Sequence, residues 1–266
     1  KLIVPLVIEQ LFAVTVGMAD TFMIAKRGEE SVAGISAVDN ICVLLIGLFS
    51  ALATGGAVVV AQFLGQKNTV KAKVAANQLV LSVLVLSVTF MTISLIGNET
   101  ILHLIYSELS SQTMRNAKIY YYIIAVSFPF LAIYNVGAAL FRTIGNSKIS
   151  MKISFWMNII NIFGNAILIF GFDMGVAGAG VSTLLSRMIA AIIIMLRLSN
   201  QENTICIDYN FRLGYQPKMI RRILKIGIPN GLENSIFQFG KLLVGGLIAS
   251  YGEVGMTANA IGNSIT

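Results

Sequence analysis

Four long stretches without a single Asp, Glu, Lys or Arg constrain this chain more than any other feature of its sequence. They are 27, 24, 23 and 20 residues long and cover residues 40–66, 74–97, 119–141 and 153–172. A helix crosses the hydrocarbon core of a bilayer with about 20 apolar residues. Three further apolar stretches carry one or two charges within or beside them: 2–25, 174–196 and 226–250. The sequence predicts an all-α integral membrane protein, a polytopic helical bundle with about seven full spans.

Composition excludes the other broad classes of protein. Of the 266 residues, 56% are hydrophobic and only 12% are charged, against about 25% charged in a soluble domain. The net charge is +7, but the basic residues stand in short clusters between apolar runs, which argues against nucleic-acid binding. The sequence contains no HExxH or GxSxG motif and no paired cysteine and histidine ligands, so we expect neither an enzyme nor a resident metal.

The charges of the connecting segments predict the orientation in the membrane. Lys and Arg are retained on the cytoplasmic side. The second, fourth and sixth connections carry three, three and six of them, against two, two and none in the first, third and fifth. We therefore expect a multi-pass protein of the cell (plasma or inner) membrane with a cytoplasmic N-terminus.

An internal repeat indicates how the chain is organised. Shifted by 224 positions, the sequence matches itself at eight of 42 positions, and Pro5 and Glu9 fall on Pro229 and Glu233. Duplicated halves are typical of transporters, and the even number of spans between the copies makes them parallel. We expect a six-span lobe repeated to give twelve spans in a longer protein. The expected parts are a lobe at 1–198, a cytoplasmic linker at 199–223 and the start of a second lobe at 224–266.

Two carboxylates stand inside the first apolar stretch. Asp20 lies four or five residues from its far end, and an ionisable group there indicates a functional site, although a solvent-capped residue at the membrane surface is the alternative. Glu9 precedes it by eleven residues, which places both on one helix face about 16 Å apart. Glu9 has a repeat partner in Glu233, so a structural role beside the prolines is as well supported as a cavity role.

Polar residues at helical spacing mark two further faces. Asn158, Asn161 and Asn165 follow the i, i+3, i+7 pattern, so they either line a polar cavity or form hydrogen bonds between helices. Asn234, Gln238 and Lys241 show a similar spacing in the seventh span, where a buried lysine needs an anionic partner. Glu9, Asn158, Glu233, Gln238 and Lys241 are candidate substrate or cavity residues.

Prolines, glycines and tyrosines suggest structural roles. Pro5 and Pro129 are predicted to bend the first and fourth spans. The glycines at 55, 56, 175, 178 and 180 predict close helix packing. Tyr120, Tyr121 and Tyr122 suggest an aromatic belt at the membrane surface.

Four segments give the chain a specific likeness to a known family. They are PLVIEQLFAVTVGMADTFMIAKRGEESVAG, ATGGAVVVAQFLGQKN, FPFLAIYNVGAALFRTIGNSKISM and NIINIFGNAILIFGFDMGVAGAGVSTLLSR. With these segments the chain resembles the multidrug and toxic compound extrusion (MATE) transporters over essentially its whole length. The resemblance implies two six-helix lobes around a cleft that opens alternately to either side. It also implies cation coupling at Asp20, with Asn161 and Asn165 beside it, and a bend at Pro5.

The activity implied by the resemblance is antiport. A proton or a sodium ion bound near Asp20 would drive the export of amphiphilic organic cations, and either ion removes the same buried-charge cost. Aromatic residues such as Phe12, Tyr134, Phe155, Trp156 and Phe237 are candidates to contact the substrate. We expect no cofactor beyond the coupling ion. The expected partners are small organic cations and the lipid bilayer, with no nucleic acid, and we expect the full-length protein to be monomeric.

Two alternatives stay open at this point. A lipid-linked oligosaccharide flippase of the same superfamily shares the six-span lobe, but it usually needs a strongly basic cavity, and Arg187 and Lys241 are the only bases inside the predicted spans. A membrane scaffold without transport activity is the second alternative, for which a buried Asp and a duplicated proline are unusual.

Overall fold

The computed structural model describes residues 3–106, 109–201, 203–207 and 216–249, with five further residues at 254, 255, 257, 258 and 262. Seven long helices form the bundle: α1 Ile3–Ala25, α2 Glu29–Gly65, α3 Thr69–Ile105, α4 Ser111–Thr143, α5 Ser147–Asn165, α6 Gly175–Leu198 and α7 Pro217–Ala249. A π-helical turn, Ala166–Gly171, continues α5. The described part of the chain contains no strand, so the predicted all-helical fold is confirmed.

Five helices are long and apolar enough to cross a membrane, counting only described residues. They are α2, α3, α4, α5 with its π-helical turn, and α6. In α1 a shorter apolar segment, Thr15–Ala25, is found. The helices run further than the charge-free stretches predict, and α2 starts at Glu29 instead of residue 40. Glu29 and Glu30 are tolerated in its first turn because negative charge is favourable at the N-terminus of a helix.

Helix α4 lies at the centre of the bundle, packed against α2, α3, α5 and α6. Small residues allow the closest approaches. A Cβ atom on Gly34 of α2 would lie 3.0 Å from the carbonyl oxygen of Thr113 and 3.1 Å from the amide nitrogen of Ala117, both on α4. A Cβ on Gly178 of α6 would lie 3.0 Å from the carbonyl carbon of Leu168 in the π-helical turn. These contacts fix the distances between the helices that carry the polar side chains.

The predicted close packing at glycines is confirmed at four of the five positions. Gly55 of α2 faces Gly227 of α7, where a Cβ would lie 2.6 Å from the Gly227 Cα. Gly56 packs against Leu79, and Gly180 against Ile123. Gly175 differs, since its φ of +54° belongs to the turn before α6. Helix α7 therefore runs directly against α2, and it begins at Pro217, within the segment predicted as a linker.

Two of the three tyrosines predicted to form an aromatic belt lie away from the surface. Tyr120 and Tyr121 are buried inside the bundle, so the belt prediction is wrong for them, while Tyr122 is 53% exposed.

Helix α4 continues through Pro129. Pro5 lies in the first turn of α1, where backbone N–H groups have no partner within the helix. Bending at Pro5 and Pro129 stays a prediction.

Helix α1 is attached to the bundle differently from the others. It packs mainly against α5 and touches α2, α6 and the π-helical turn less extensively. Its end is anchored by Arg27, whose guanidinium donates to the Asp173 carboxylate and to the carbonyl oxygen of Ile169. Polar contacts therefore supply much of what holds α1 in place.

Candidate functional site

Asp20 is bonded to a neutral amide. The Asn165 side-chain Nδ2 of α5 donates to Asp20 Oδ1. Asn165 is 1% exposed, and its own Oδ1 is buried without a hydrogen-bond partner. No ion pair within 4 Å reaches Asp20 among the described residues. A carboxylate next to a free amide oxygen offers a small cation two oxygen ligands inside the bundle.

The hydrogen bonds continue from Asn165 along α5 to α6. Asn165 Nδ2 lies 3.4 Å from Asn161 Oδ1, and Asn161 Nδ2 donates to the Thr183 hydroxyl at 3.1 Å. The Ser182 hydroxyl donates to the Asn161 carbonyl oxygen at 2.7 Å. The structure thus brings together Asp20, Asn161 and Asn165, which the sequence predicted as one set, and adds Thr183.

A second carboxylate, Asp39 of α2, lies near the same end of the bundle. Asp39 is ten residues inside α2, about 15 Å from its start, and Asp20 is five residues from the end of α1. The buried Tyr120 of α4 donates its hydroxyl to Asp39 Oδ1 at 3.3 Å. The Asp39 side chain is otherwise exposed.

Sequence reasoning missed both Asp39 and Tyr120. The charge-free run starts at residue 40, which assigned Asp39 to a connection, and Tyr120 was read as part of a surface belt. The acidic pair Glu29 and Glu30 after Gly28 was a signal for an earlier helix start. With that start, Asp39 falls well inside α2.

Arg187 of α6 supplies positive charge in this region. Its Nη1 donates to the Ser127 hydroxyl of α4 at 2.7 Å, and Ser127 is fully buried. Arg187 is one helical turn beyond Thr183, and its charge acts on both Asp20 and Asp39. The site therefore combines carboxylates from α1 and α2, a guanidinium from α6 and amides from α5. Hydroxyl groups of α4 bond to the α2 carboxylate and to the guanidinium.

Glu9, the other carboxylate of α1, has charged and neutral partners. The Tyr134 hydroxyl of α4 donates to Glu9 Oε1 at 3.0 Å, and Arg142 Nη1 lies 3.6 Å from Glu9 Oε2. The Glu9 side chain is 17% exposed. This group lies near the opposite end of α1 from Asp20, and it ties α1 to α4.

Other predicted residues are separate from these groups. Asn158 is half-buried, and its Nδ2 has no hydrogen-bond partner. The rings of Phe12 and Phe155 are tilted by 51° with centroids 5.2 Å apart, and Trp156 lies edge-on to Phe155 at 5.7 Å. The side chains of Glu233, Phe237, Gln238 and Lys241 lie outside the described residues. Among described residues, no group of three His, Cys, Asp or Glu could hold a metal ion.

Comparison with known proteins identifies the class to which this fold and site belong. The MatE family model matches residues 5–167, so the chain belongs to the MatE family. Relatives in this comparison carry the names of transporters and export proteins, the class that the sequence predicted.

Individual proteins show the same likeness. The uncharacterized transporter YisQ of Bacillus subtilis (strain 168) is 28% identical, over 98% of this chain and 58% of its own length. The multidrug export protein MepA of Staphylococcus saprophyticus is 26% identical, over 97% of this chain and 57% of its own length. A solved structure of the MATE multidrug transporter DinF-BH matches with a TM-score of 0.92 and 21% identity, over 99% of this chain and 59% of that one. The chain spans little more than half the length of these relatives.

Proposed function

We propose that the full-length protein is a cation-coupled antiporter that exports amphiphilic organic cations. The observation that carries this proposal is Asp20, a carboxylate in α1 whose described partner is the neutral amide of Asn165. An ionised carboxylate inside a bilayer costs several kcal/mol unless a cation compensates it. A proton or a sodium ion arriving at Asp20 removes that cost and so favours one arrangement of the lobe over another.

The surroundings of Asp20 fit a small monovalent cation. The unpartnered Oδ1 of Asn165 and the carboxylate supply oxygen atoms, with Asn161 and Thr183 next in the chain of hydrogen bonds. Either a proton on the carboxylate or a sodium ion between these oxygens suits the arrangement. Efflux measured under separate proton and sodium gradients identifies the coupling ion.

The substrate proposal is supported by the aromatic group and by a relative. The aromatic rings of Phe12 on α1 and of Phe155 and Trp156 on α5 contact one another in tilted and edge-on arrangements, and Trp156 is 57% exposed. Aromatic faces attract organic cations. MepA, a relative at 26% identity, is called a multidrug export protein. We also propose the cell membrane, a cytoplasmic N-terminus and a monomeric state.

The test is efflux of ethidium from vesicles that hold the full-length protein, with proton and sodium gradients imposed separately. We expect one gradient to drive efflux and Asp20→Asn to reduce it about tenfold or more, since the driving ion loses its binding charge. Glu30→Gln is the matched control, because it removes an exposed carboxylate at the start of α2, near the same end of α1.

Two results would contradict the proposal. Efflux that survives Asp20→Asn would make Asp20 a structural residue. An absence of efflux under both gradients, together with movement of a lipid-linked oligosaccharide, would favour the flippase instead.

A further inference from the structure

Three charges from three helices act on one another near the α1–α2 connection. They belong to Asp20 on α1, Asp39 on α2 and Arg187 on α6. Arg187 lies one helical turn beyond Thr183, where the hydrogen bonds that start at Asp20 reach α6. Asp39 and Arg187 both bond to side chains of α4. The Cys42 thiol and the Tyr120 phenol face the same group and carry no charge at neutral pH. Two carboxylates and one guanidinium leave a net charge of one negative unit.

Helix α4 holds two of the three charges apart. Tyr120 donates to Asp39 at 3.3 Å, and Ser127 accepts from Arg187 at 2.7 Å. Tyr120 and Ser127 lie two turns apart on one side of α4, about 10 Å along its axis. In the described part of the chain no carboxylate comes within 4 Å of Arg187. Arg187 therefore compensates both carboxylates from a distance and neutralises neither alone.

The two carboxylates differ in their access. Asp20 is half-buried and bonded to the buried Asn165, whereas Asp39 is exposed although it lies well inside α2. An exposed carboxylate admits a large cation, whereas a half-buried one bonded to a buried amide is better suited to a small ion. This difference separates a place for an organic cation from a place for a coupling ion.

We propose that Asp39 binds the cationic group of an organic substrate and that Arg187 makes this binding and cation binding at Asp20 mutually exclusive. The inference rests on the proposed function and assigns its substrate residue. The first monovalent cation brings the net charge of the group to zero. A second would bring it to one positive unit in apolar surroundings, where such a charge is strongly disfavoured.

An exchanger requires that the coupling ion and the organic cation do not stay bound at the same time. When the coupling ion occupies Asp20, the negative charge of Asp20 no longer offsets the field of Arg187, and Asp39 holds an organic cation less firmly. By linkage, a bound organic cation weakens coupling-ion binding by the same factor. Arg187 thus converts two carboxylates on different helices into one competitive site.

The test measures ethidium binding to the purified full-length protein by fluorescence polarisation. Ethidium carries a permanent charge, so its own protonation does not change. Its Kd is measured at low and high sodium concentration and at two pH values, to supply either coupling ion. The variants are Asp39→Asn, Arg187→Gln and the double variant, with size-exclusion profiles to verify folding. Glu30→Gln and Arg197→Gln remove the same charges from exposed positions on the same two helices and serve as controls.

We expect Asp39→Asn to weaken ethidium binding about tenfold, which corresponds to about 1.4 kcal/mol. In the wild type, one of the two ions should raise the Kd for ethidium about fivefold or more. Arg187→Gln should lower the Kd measured at saturating ion about tenfold, because the group can then hold both cations without a net positive charge. The double variant should bind ethidium more weakly than Arg187→Gln, because it lacks the carboxylate that holds ethidium. Both controls should behave as the wild type.

Several results would overturn the inference. Unchanged affinity in Asp39→Asn would remove the substrate assignment. An ethidium Kd at saturating ion that Arg187→Gln does not lower would remove the role of Arg187. If ethidium is transported normally by Asp39→Asn, the proposed function survives and only this inference fails. If ethidium binds as expected but no gradient moves it, the proposed function fails and the binding site stands. A wild type that does not bind ethidium contradicts both.

Discussion

Helix α1 carries two carboxylates on one face, and they differ in whether a positive charge is paired with them. Glu9 accepts a hydrogen bond from Tyr134 and pairs with Arg142 at 3.6 Å. Asp20 is bonded to the neutral amide of Asn165 and feels Arg187 only from a distance. A carboxylate with its own counter-charge stabilises the fold, whereas one without it is left to bind a cation. The comparison favours a structural role for Glu9, a choice that the sequence alone left open.

Adding a second uncompensated carboxylate should produce the largest effect. Asn165→Asp places a new negative charge beside Asp20, and we expect it to lower the free energy of unfolding by about 3 kcal/mol in sodium-free buffer at neutral pH. The measurement is the Tm of the purified full-length protein, followed by tryptophan fluorescence. Sodium or acid should restore the loss. The control is Asn158→Asp, in which the new charge lies two helical turns from Asn165, about 10 Å along α5, and for which neither ion should restore stability. A Tm that is insensitive to either ion would contradict a cation site at Asp20.

Removing the counter-charge of Glu9 should have the next largest effect. Arg142→Met leaves a partly buried carboxylate unpaired, and we expect a loss of about 2 kcal/mol in the free energy of unfolding. Glu9→Gln added to Arg142→Met should recover most of that loss. A double variant no more stable than Arg142→Met would mean that the pair contributes nothing. Ion addition should not rescue Arg142→Met, in contrast to Asn165→Asp.

Neutralising Asp20 should raise the free energy of unfolding, whereas the two preceding changes lower it. Asp20→Asn removes an uncompensated charge and keeps a side chain that can bond to Asn165, so we expect a gain of about 1.5 kcal/mol in stability. The gain should appear as a higher Tm in the variant that loses gradient-driven efflux, and Glu9→Gln should instead lower the Tm. Equal shifts of the same sign in both variants would show that the two carboxylates have the same environment.

The smallest effect should come from the hydroxyl that bonds to Glu9. Tyr134→Phe removes one hydrogen bond from a carboxylate that keeps Arg142, and we expect a loss of about 1 kcal/mol. Ethidium efflux should stay within about twofold of the wild type, because α1 remains tied to α4 by the ion pair. A loss of efflux comparable with that of Asp20→Asn would assign Glu9 a direct part in transport.

The sequence revealed the helices because apolar length is a local property, but it misplaced their ends. Helix α2 extends eleven residues beyond its charge-free run, since charged residues are tolerated where a helix leaves the apolar layer. The spacing of Asn161 and Asn165 on one face was also local, and their grouping with Asp20 was predicted. Tyr120, Thr183 and Arg142 were not, because their partners lie on other helices. Which side chains meet between neighbouring helices depends on close approaches such as that of Gly34 to α4.

The presence of one guanidinium for the two carboxylates Asp20 and Asp39 has an electrical consequence. If one monovalent ion replaces one monovalent organic cation, each cycle carries no net charge across the bilayer. Moving one elementary charge through 100 mV is worth about 2.3 kcal/mol, and this exchange would draw none of it. The export would then depend on the concentration ratio of the coupling ion alone, about 1.4 kcal/mol for each factor of ten. A doubly charged substrate would transfer charge, so its export would respond to the membrane potential.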